Sequence, residues 1–143
     1  MRSDYVQCGA WTGFLQVRRA WRAWVQHDLV RFICKGSRWN SGPGWDFEPD
    51  TLNLKQGTIL VVSDHGGEPH TFTEVKKFGG GFIDGLNARE ETVPECKGGF
   101  TNVGVAKTRI VQGSHTNITD LSKGEHLFQG CIHSWMRVRV DVK

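Results

Sequence analysis

From Trp45 to the C-terminus, the chain consists of short runs in which apolar and polar residues alternate, separated by turn residues. Residues 51–55 alternate in this way before a turn at Gly57, and residues 138–142 do so at the C-terminal end. Alternation of period two sets one face of a strand against a core and the other in solvent. Eighteen glycines among 143 residues, nearly double the usual share of about 7%, supply tight turns. We therefore expect an all-β fold.

Further strands are predicted where β-branched or alternating runs end at glycine or other turn residues. The run 58–62 has the length of a buried strand, and a triple glycine at 79–81 breaks the pattern after the run 70–75. No long helical pattern separates these runs, so they predict a β-sandwich or barrel of about 100 residues. The remaining predicted strands are 109–111 and 125–129, with 116–119 a less clear case.

The first 44 residues differ in character. They hold four of the six tryptophans, and apolar residues such as Val17, Trp21 and Trp24 recur at helical spacing with arginines between them. This spacing predicts a basic amphipathic helix that would contact a membrane surface or a partner. The other interpretation is that the segment belongs to no packed domain. In both cases we expect an N-terminal extension over residues 1–44 and one domain over residues 45–143.

The distribution of charge argues against nucleic-acid binding. The first 44 residues carry seven Lys/Arg against two Asp, whereas the rest carry eleven Lys/Arg against thirteen Asp/Glu. A nucleic-acid binder is expected to show its basic patch on the folded domain. The sequence also lacks paired carboxylates at motif spacing, a nucleophile elbow and a phosphate-binding loop, so no enzyme is expected. The N-terminus shows no export signal.

Two distant places in the predicted β-domain carry metal-ligand chemistry. His70 begins a strand, and Cys131, His133 and Met136 lie between the last two strands. A thiol, two imidazoles and a thioether are the ligand types of copper sites with two histidines, one cysteine and a weak axial methionine. The combination predicts a site for one copper ion.

The sequence resembles the bacterial cupredoxins of the plastocyanin and azurin type. The resemblance rests on the residues Trp45-x-Phe47-x-Pro49, the run from His70 to Thr73, and above all the run from Phe128 to Arg137. It implies a Greek-key β-sandwich with copper at one end and electron transfer to a redox partner protein. It also implies a periplasmic or other extracytoplasmic location.

The sequence departs from this family at the cysteine ligand. Family members with a short ligand loop have Cys-x-x-His-x-x-Met, and this spacing assigns the cysteine position to Gly130, one residue before Cys131. Strand alternation agrees, because Phe128 and Gly130 share one face and Cys131 lies on the other. The remaining ligand set is His70, His133 and Met136. A bulge at Gly130 is the alternative, since it would turn Cys131 toward the metal.

Two consequences follow for the cysteines and for function. If Cys131 faces away from the metal, it is free to pair with Cys96, and we predict that disulfide together with an oxidising compartment. A site without thiolate would bind copper, Cu(I) above all, without the colour of a blue copper protein, although the ancestral role was electron transfer. The alternative is a metal-free β-sandwich that serves as an interaction module. Replacing Gly130 by cysteine is expected to complete the ligand set.

Overall fold

The computed structural model describes residues 27–34, 45–64 and 68–143. Within these ranges the chain forms ten β-strands and one short α-helix, α1, over Val103–Lys107. The strands are β1 His27–Cys34, β2 Trp45–Glu48, β3 Thr51–Leu54, β4 Ile59–Asp64, β5 His70–Thr71, β6 Thr73–Val75, β7 Arg109–Ile110, β8 His115–Ile118, β9 Gly124–Gln129 and β10 Arg137–Val142.

Two four-stranded sheets make up the fold, with strand orders β2-β1-β4-β8 and β3-β10-β9-β6. The pairs β1·β4 and β3·β10 are parallel, and the other neighbours are antiparallel. Strands β5 and β7 form a separate two-stranded ribbon. The chain passes repeatedly from one sheet to the other, as in a Greek-key sandwich. The predicted all-β sandwich is confirmed.

Strand β1 corrects part of the prediction for the N-terminal segment. Residues 27–34 were expected to lie in an extension outside the domain, but they form a strand between β2 and β4. The register pairs Leu29 with Val61 and Val30 with Val62. Backbone hydrogen bonding to two neighbours therefore makes these eight residues part of the sheet. Residues 1–26 and 35–44 lie outside the described residues, and their assignment to an extension stays a prediction.

The main core lies between the two sheets. Along β4 and β10 every second side chain is buried, as their sequence alternation predicted. Phe72 connects the sheets to the ribbon, because its ring stacks on Phe128 and meets Phe47 edge-on. Burying aromatic rings of this size contributes strongly to stability. The buried members of this cluster are Phe47, Leu54, Leu60, Val62, Phe72, Ile110, Phe128, Met136, Val138, Val140 and Val142.

A second, smaller core lies beneath the long connection between β6 and β7. That connection contains three single-turn 3-10 helices, Asp84–Leu86, Pro94–Cys96 and Gly99–Thr101, followed by α1. Its buried residues are Val75, Val93, Cys96, Val105 and Cys131. Across the described ranges, no helix has the length and apolar character needed to cross a membrane.

Candidate metal centre

The structure brings His70 and His133 together, although 63 positions separate them in the sequence. Their Nδ1 atoms lie 3.2 Å apart, and their ring centroids are 5.0 Å apart. Both side chains are deeply buried, with 1% and 4% of the residue surface exposed. The two predicted imidazole ligands therefore face each other through the same ring nitrogen.

The short ribbon holds His70 in this place. His70 pairs with Ile110 of β7, and the backbone N–H of Phe72 donates to the carbonyl oxygen of Thr108 at 3.0 Å. The hydroxyl of Thr71 accepts a hydrogen bond from the backbone N–H of Cys131 at 2.6 Å. This bond joins the strand that carries the first histidine to the loop that carries the second.

That loop, between β9 and β10, closes on itself through backbone hydrogen bonds. The N–H of Gly130 donates to the carbonyl oxygen of Met136, and the N–H of Met136 donates to that of His133, each at 3.0 Å. These two bonds close a turn from His133 to Met136, which leads the chain into β10. The backbone therefore sets the position of His133 before any ligand is considered.

Arg137 holds the outer side of the same loop. Its Nε donates to the carbonyl oxygen of Ser134 at 2.9 Å, and its guanidinium forms an ion pair with Glu90 and lies over the ring of Phe78. The arginine contacts restrain a carbonyl that a flexible serine would otherwise leave free to move.

Burial keeps both histidines neutral. Loss of solvation, and then the charge of neighbouring His133, lowers the pKa of His70 to about 4. Burial also lowers the pKa of His133 below its ordinary value. Near neutral pH each ring therefore has one nitrogen that carries a lone pair instead of a proton, which is the form that binds metals.

Cys131 lies on the opposite side of the strand from this pair. It is joined to Cys96 by a disulfide, the pairing expected from the sequence, with Cα atoms 5.3 Å apart and both residues fully buried. Gln129 is on the same side, since its Nε2 lies 3.9 Å from Sγ of Cys96, whereas Phe128 belongs to the main core. The alternative of a bulge that turns Cys131 toward the metal is therefore not what the structure shows. A disulfide sulfur supplies no thiolate ligand.

The structure also corrects the expectation for Gly130. A Cβ atom placed on this glycine would lie 2.7 Å from the carbonyl oxygen of His133, which is closer than real Cβ contacts allow. Cysteine at this position therefore needs the backbone of the loop to move. The Gly130→Cys change cannot simply complete the ligand set, because the turn at His133 fills the space that its side chain needs.

Met136, the third predicted ligand, is fully buried in the main core. Its backbone lies beside His133 through the turn described above. In the part of the chain that the structure describes, no group of three or more His, Cys, Asp or Glu side chains could hold a metal. Among the described residues, a third donor to His70 and His133 would therefore have to be of another kind, such as this thioether.

The spacing of the two histidines suits a metal ion. Imidazole nitrogens bind zinc at about 2.0–2.1 Å, and similar distances are expected for other first-row metals. Two Nδ1 atoms 3.2 Å apart are close enough for both to bind one ion at such distances. These residues would fit copper held by two imidazoles, and the described side chains beside them supply no thiolate for a blue site.

Two neighbours of His133 were missed by the sequence analysis. Oε2 of Glu68 lies 3.8 Å from Nε2 of His133, and the ring of Trp135 lies 5.2 Å from the imidazole ring between centroids. Trp135 stands two positions from His133 within the recognised motif. Glu68 stands two positions before His70, and no local pattern indicated that it would approach the other histidine.

Comparisons with known proteins identify the fold and not a close relative. No protein-family model matches the sequence, and no curated protein gives a significant match. Solved structures do match, at low sequence identity. A purple cupredoxin from Nitrosopumilus maritimus is 16% identical, with 80% of this chain and 98% of that chain covered and a TM-score of 0.50.

Two further structures give the same result. Plastocyanin from Dryopteris crassirhizoma is 13% identical over 81% of this chain and all of its own length, with a TM-score of 0.50. A proline-to-glycine variant of amicyanin, in its reduced Cu(I) form at pH 4, is 13% identical over 85% of each chain, with a TM-score of 0.50. The fold is therefore a cupredoxin-like β-sandwich.

Proposed function

We propose that this protein binds one copper ion through His70, His133 and Met136, without a thiolate. The facing Nδ1 atoms of the two histidines carry this proposal, since they are 3.2 Å apart, buried and neutral. The cupredoxin-like fold supports it, because a matched amicyanin is a Cu(I) protein. When bound, copper would supply either a one-electron redox couple or a cargo to be transferred.

The proposed ligand set favours the reduced ion. Two imidazoles and a thioether are softer ligands than carboxylates or water, and a thioether suits Cu(I). The intense colour and fast electron transfer of blue sites depend on a copper–thiolate bond, which the Cys96–Cys131 disulfide precludes here. The protein would therefore be a colourless copper binder derived from an electron carrier.

The disulfide also indicates where the protein works. Disulfides persist in oxidising compartments and are rare in the reducing cytosol. Cys96 and Cys131 are joined and fully buried, so the bond belongs to the second core of the fold. We propose a periplasmic or other extracytoplasmic location, with a protein partner that delivers or accepts copper or electrons.

A metal titration of the purified full-length protein tests the proposal. Competition with a Cu(I) chelator of known affinity should give one tightly bound ion per chain, and Cu(II) should give no intense visible band. His70→Ala and His133→Ala should each weaken Cu(I) binding by more than about tenfold, since each removes one of three ligands. His115→Ala is the matched control, because this exposed histidine lies on β8.

Three results of the copper titration would contradict the proposal. A strong visible band in the wild-type protein would mean that a thiolate reaches the metal, against the observed disulfide. Equal Cu(I) affinity in wild type and all three alanine variants would show that neither buried histidine binds copper. No bound metal after expression with added copper would favour the metal-free interaction module.

A further inference from the structure

The carboxylate of Glu68 approaches the buried imidazole of His133 from the side opposite His70. Its Oε2 lies 3.8 Å from Nε2 of His133, while Nδ1 of that ring faces Nδ1 of His70 at 3.2 Å. The side chain of His133 is 5% exposed and that of Glu68 is 45% exposed. The two nitrogens of one ring therefore meet different partners, a carboxylate and an imidazole.

These partners determine which nitrogen of His133 carries the proton. A neutral imidazole has one N–H and one lone pair, and a neighbouring carboxylate can only accept a hydrogen bond. At 3.8 Å the carboxylate lies beyond hydrogen-bond distance, but its negative charge still favours an N–H over a lone pair on the nitrogen that faces it. The proton of His133 is thus favoured on Nε2, beside Glu68, and the lone pair on Nδ1 points toward His70. The contact of 3.2 Å is then a hydrogen bond in which Nδ1–H of His70 donates to Nδ1 of His133.

We propose that Glu68 is a positioning residue for the copper site, which extends the function proposed above. It keeps the Nδ1 lone pair of His133 available for the metal and places a negative charge beside a ring that would carry part of the charge of the ion. Metal-bound histidines commonly donate their second N–H to a carboxylate, and loss of that carboxylate typically weakens binding about 10- to 100-fold.

The proton balance of copper binding follows from this arrangement. The proton on Nδ1 of His70 must leave before both Nδ1 atoms can bind the ion. With copper bound, that proton would be carried on Nε2 of the same ring, so the number of protons bound to the pair would not change. His133 would need no such rearrangement, because the charge of Glu68 favours its proton on Nε2.

Nitrogen NMR of the metal-free protein tests the tautomer directly. In ¹⁵N-labelled wild type, His133 should be the Nε2–H tautomer and His70 the Nδ1–H tautomer. In Glu68→Ala, the Nδ1–H form of His133 should become substantially populated. Glu68→Gln keeps the size of the side chain but removes its charge, so its population of the Nδ1–H form should fall between those of wild type and Glu68→Ala.

Cu(I) competition supplies the second measurement. Glu68→Ala should weaken Cu(I) binding about 10- to 100-fold, and Glu68→Gln should fall between it and wild type. Glu91→Ala and Glu91→Gln are matched controls, since Glu91 is also exposed and its backbone carbonyl accepts a hydrogen bond from the N–H of Gly80. Thermal unfolding should be unchanged in all four variants.

Failure of this inference differs from failure of the proposed function. If wild-type His133 is the Nδ1–H tautomer, or if Glu68→Ala binds Cu(I) as tightly as Glu91→Ala does, Glu68 does not position the site. If the wild type binds no Cu(I), the proposed function fails. The tautomer of His133 in Glu68→Ala then still decides whether the carboxylate orients the ring.

Discussion

The backbone N–H of Cys131 donates a hydrogen bond of 2.6 Å to the side-chain hydroxyl of Thr71, 60 positions earlier in the chain. Both residues are fully buried. Thr71 directly follows His70, and Cys131 lies two residues before His133. This hydrogen bond therefore joins the strand that carries His70 to the loop that carries His133.

Thr71→Val should destabilise the fold and loosen the site. Valine has the same shape but leaves the buried N–H of Cys131 without an acceptor, which costs about 1–3 kcal/mol. Urea unfolding should show this loss, and Cu(I) binding should weaken because the two histidines are less firmly held. Thr119→Val, at an exposed position, is the control. Equal stability of the two variants would mean that another group satisfies the N–H.

The double variant Cys96→Ser/Cys131→Ser should lose about 3–4 kcal/mol of unfolding free energy, because the bridge restricts the unfolded chain. The disulfide closes a loop with a sequence separation of 35, and the entropy lost by the unfolded chain gives this magnitude. Chemical denaturation of the variant and of oxidised wild type measures the difference. Wild type unfolded in reductant should match the variant, since both lack the bridge.

Removing residues 1–44 should abolish cooperative unfolding. Gly42-Pro43-Gly44 has the composition of a linker, but the deletion also removes β1, which separates β2 from β4 in the sheet. A proline at position 30 of the full-length chain is a milder test, because it lacks the N–H that a central strand needs. A sharp transition at the wild-type midpoint in the deletion variant would contradict the role of β1.

Much of the site could be predicted because it depends on patterns among residues that are close together in the sequence. The period of two along β9 places Phe128 and Cys131 on opposite faces, and this agreed with the ligand spacing of the family in indicating that the cysteine was free to form a disulfide. His133 and Met136 follow in a recognisable motif. The chemistry of the ligand types and the family resemblance predicted that His70 and His133 share one site, but the distance between them could not be derived from the sequence.

Other features could not be predicted because they arise between distant segments. The contact of Glu68 with His133 joins two loops, and the closed space at Gly130 results from the turn of the chain at His133. Strand β1 was missed since tryptophans and arginines at helical spacing precede it. Its own run of Leu29, Val30, Phe32 and Ile33 has strand character, but that run becomes a strand only by pairing with β2 and β4.

The ion pair between His126 and Glu74 should make stability depend on pH. Nδ1 of His126 lies 2.7 Å from the Glu74 carboxylate, and this hydrogen bond raises the pKa of His126 above its ordinary value of 6.5. A raised pKa means that the ion pair stabilises the folded state fully below about pH 6.5. This contribution to the free energy of unfolding is lost as the pH rises through the higher pKa that His126 has in the folded state.

Unfolding by urea, measured from about pH 5.5 to about pH 9, would check this effect, with wild type compared with Glu74→Gln. The difference in stability should be largest at the acidic end and should disappear at the alkaline end. In Glu74→Gln, the NMR titration of His126 should move toward the ordinary pKa. A stability difference that grows with pH would have the wrong sign for this pair.

Gly130 gives the sharpest test of the missing thiolate. Gly130→Ala should destabilise the fold by about 1–3 kcal/mol, because its Cβ would press on the carbonyl oxygen of His133, 2.7 Å away. Gly130→Cys should meet the same obstacle and give no strong charge-transfer band with Cu(II). Cys96→Ser, which frees the thiol of Cys131 on the other face of the strand, should also remain colourless. An intense visible band in Gly130→Cys would show that the loop of His133 can move aside, and that one substitution restores a thiolate copper site.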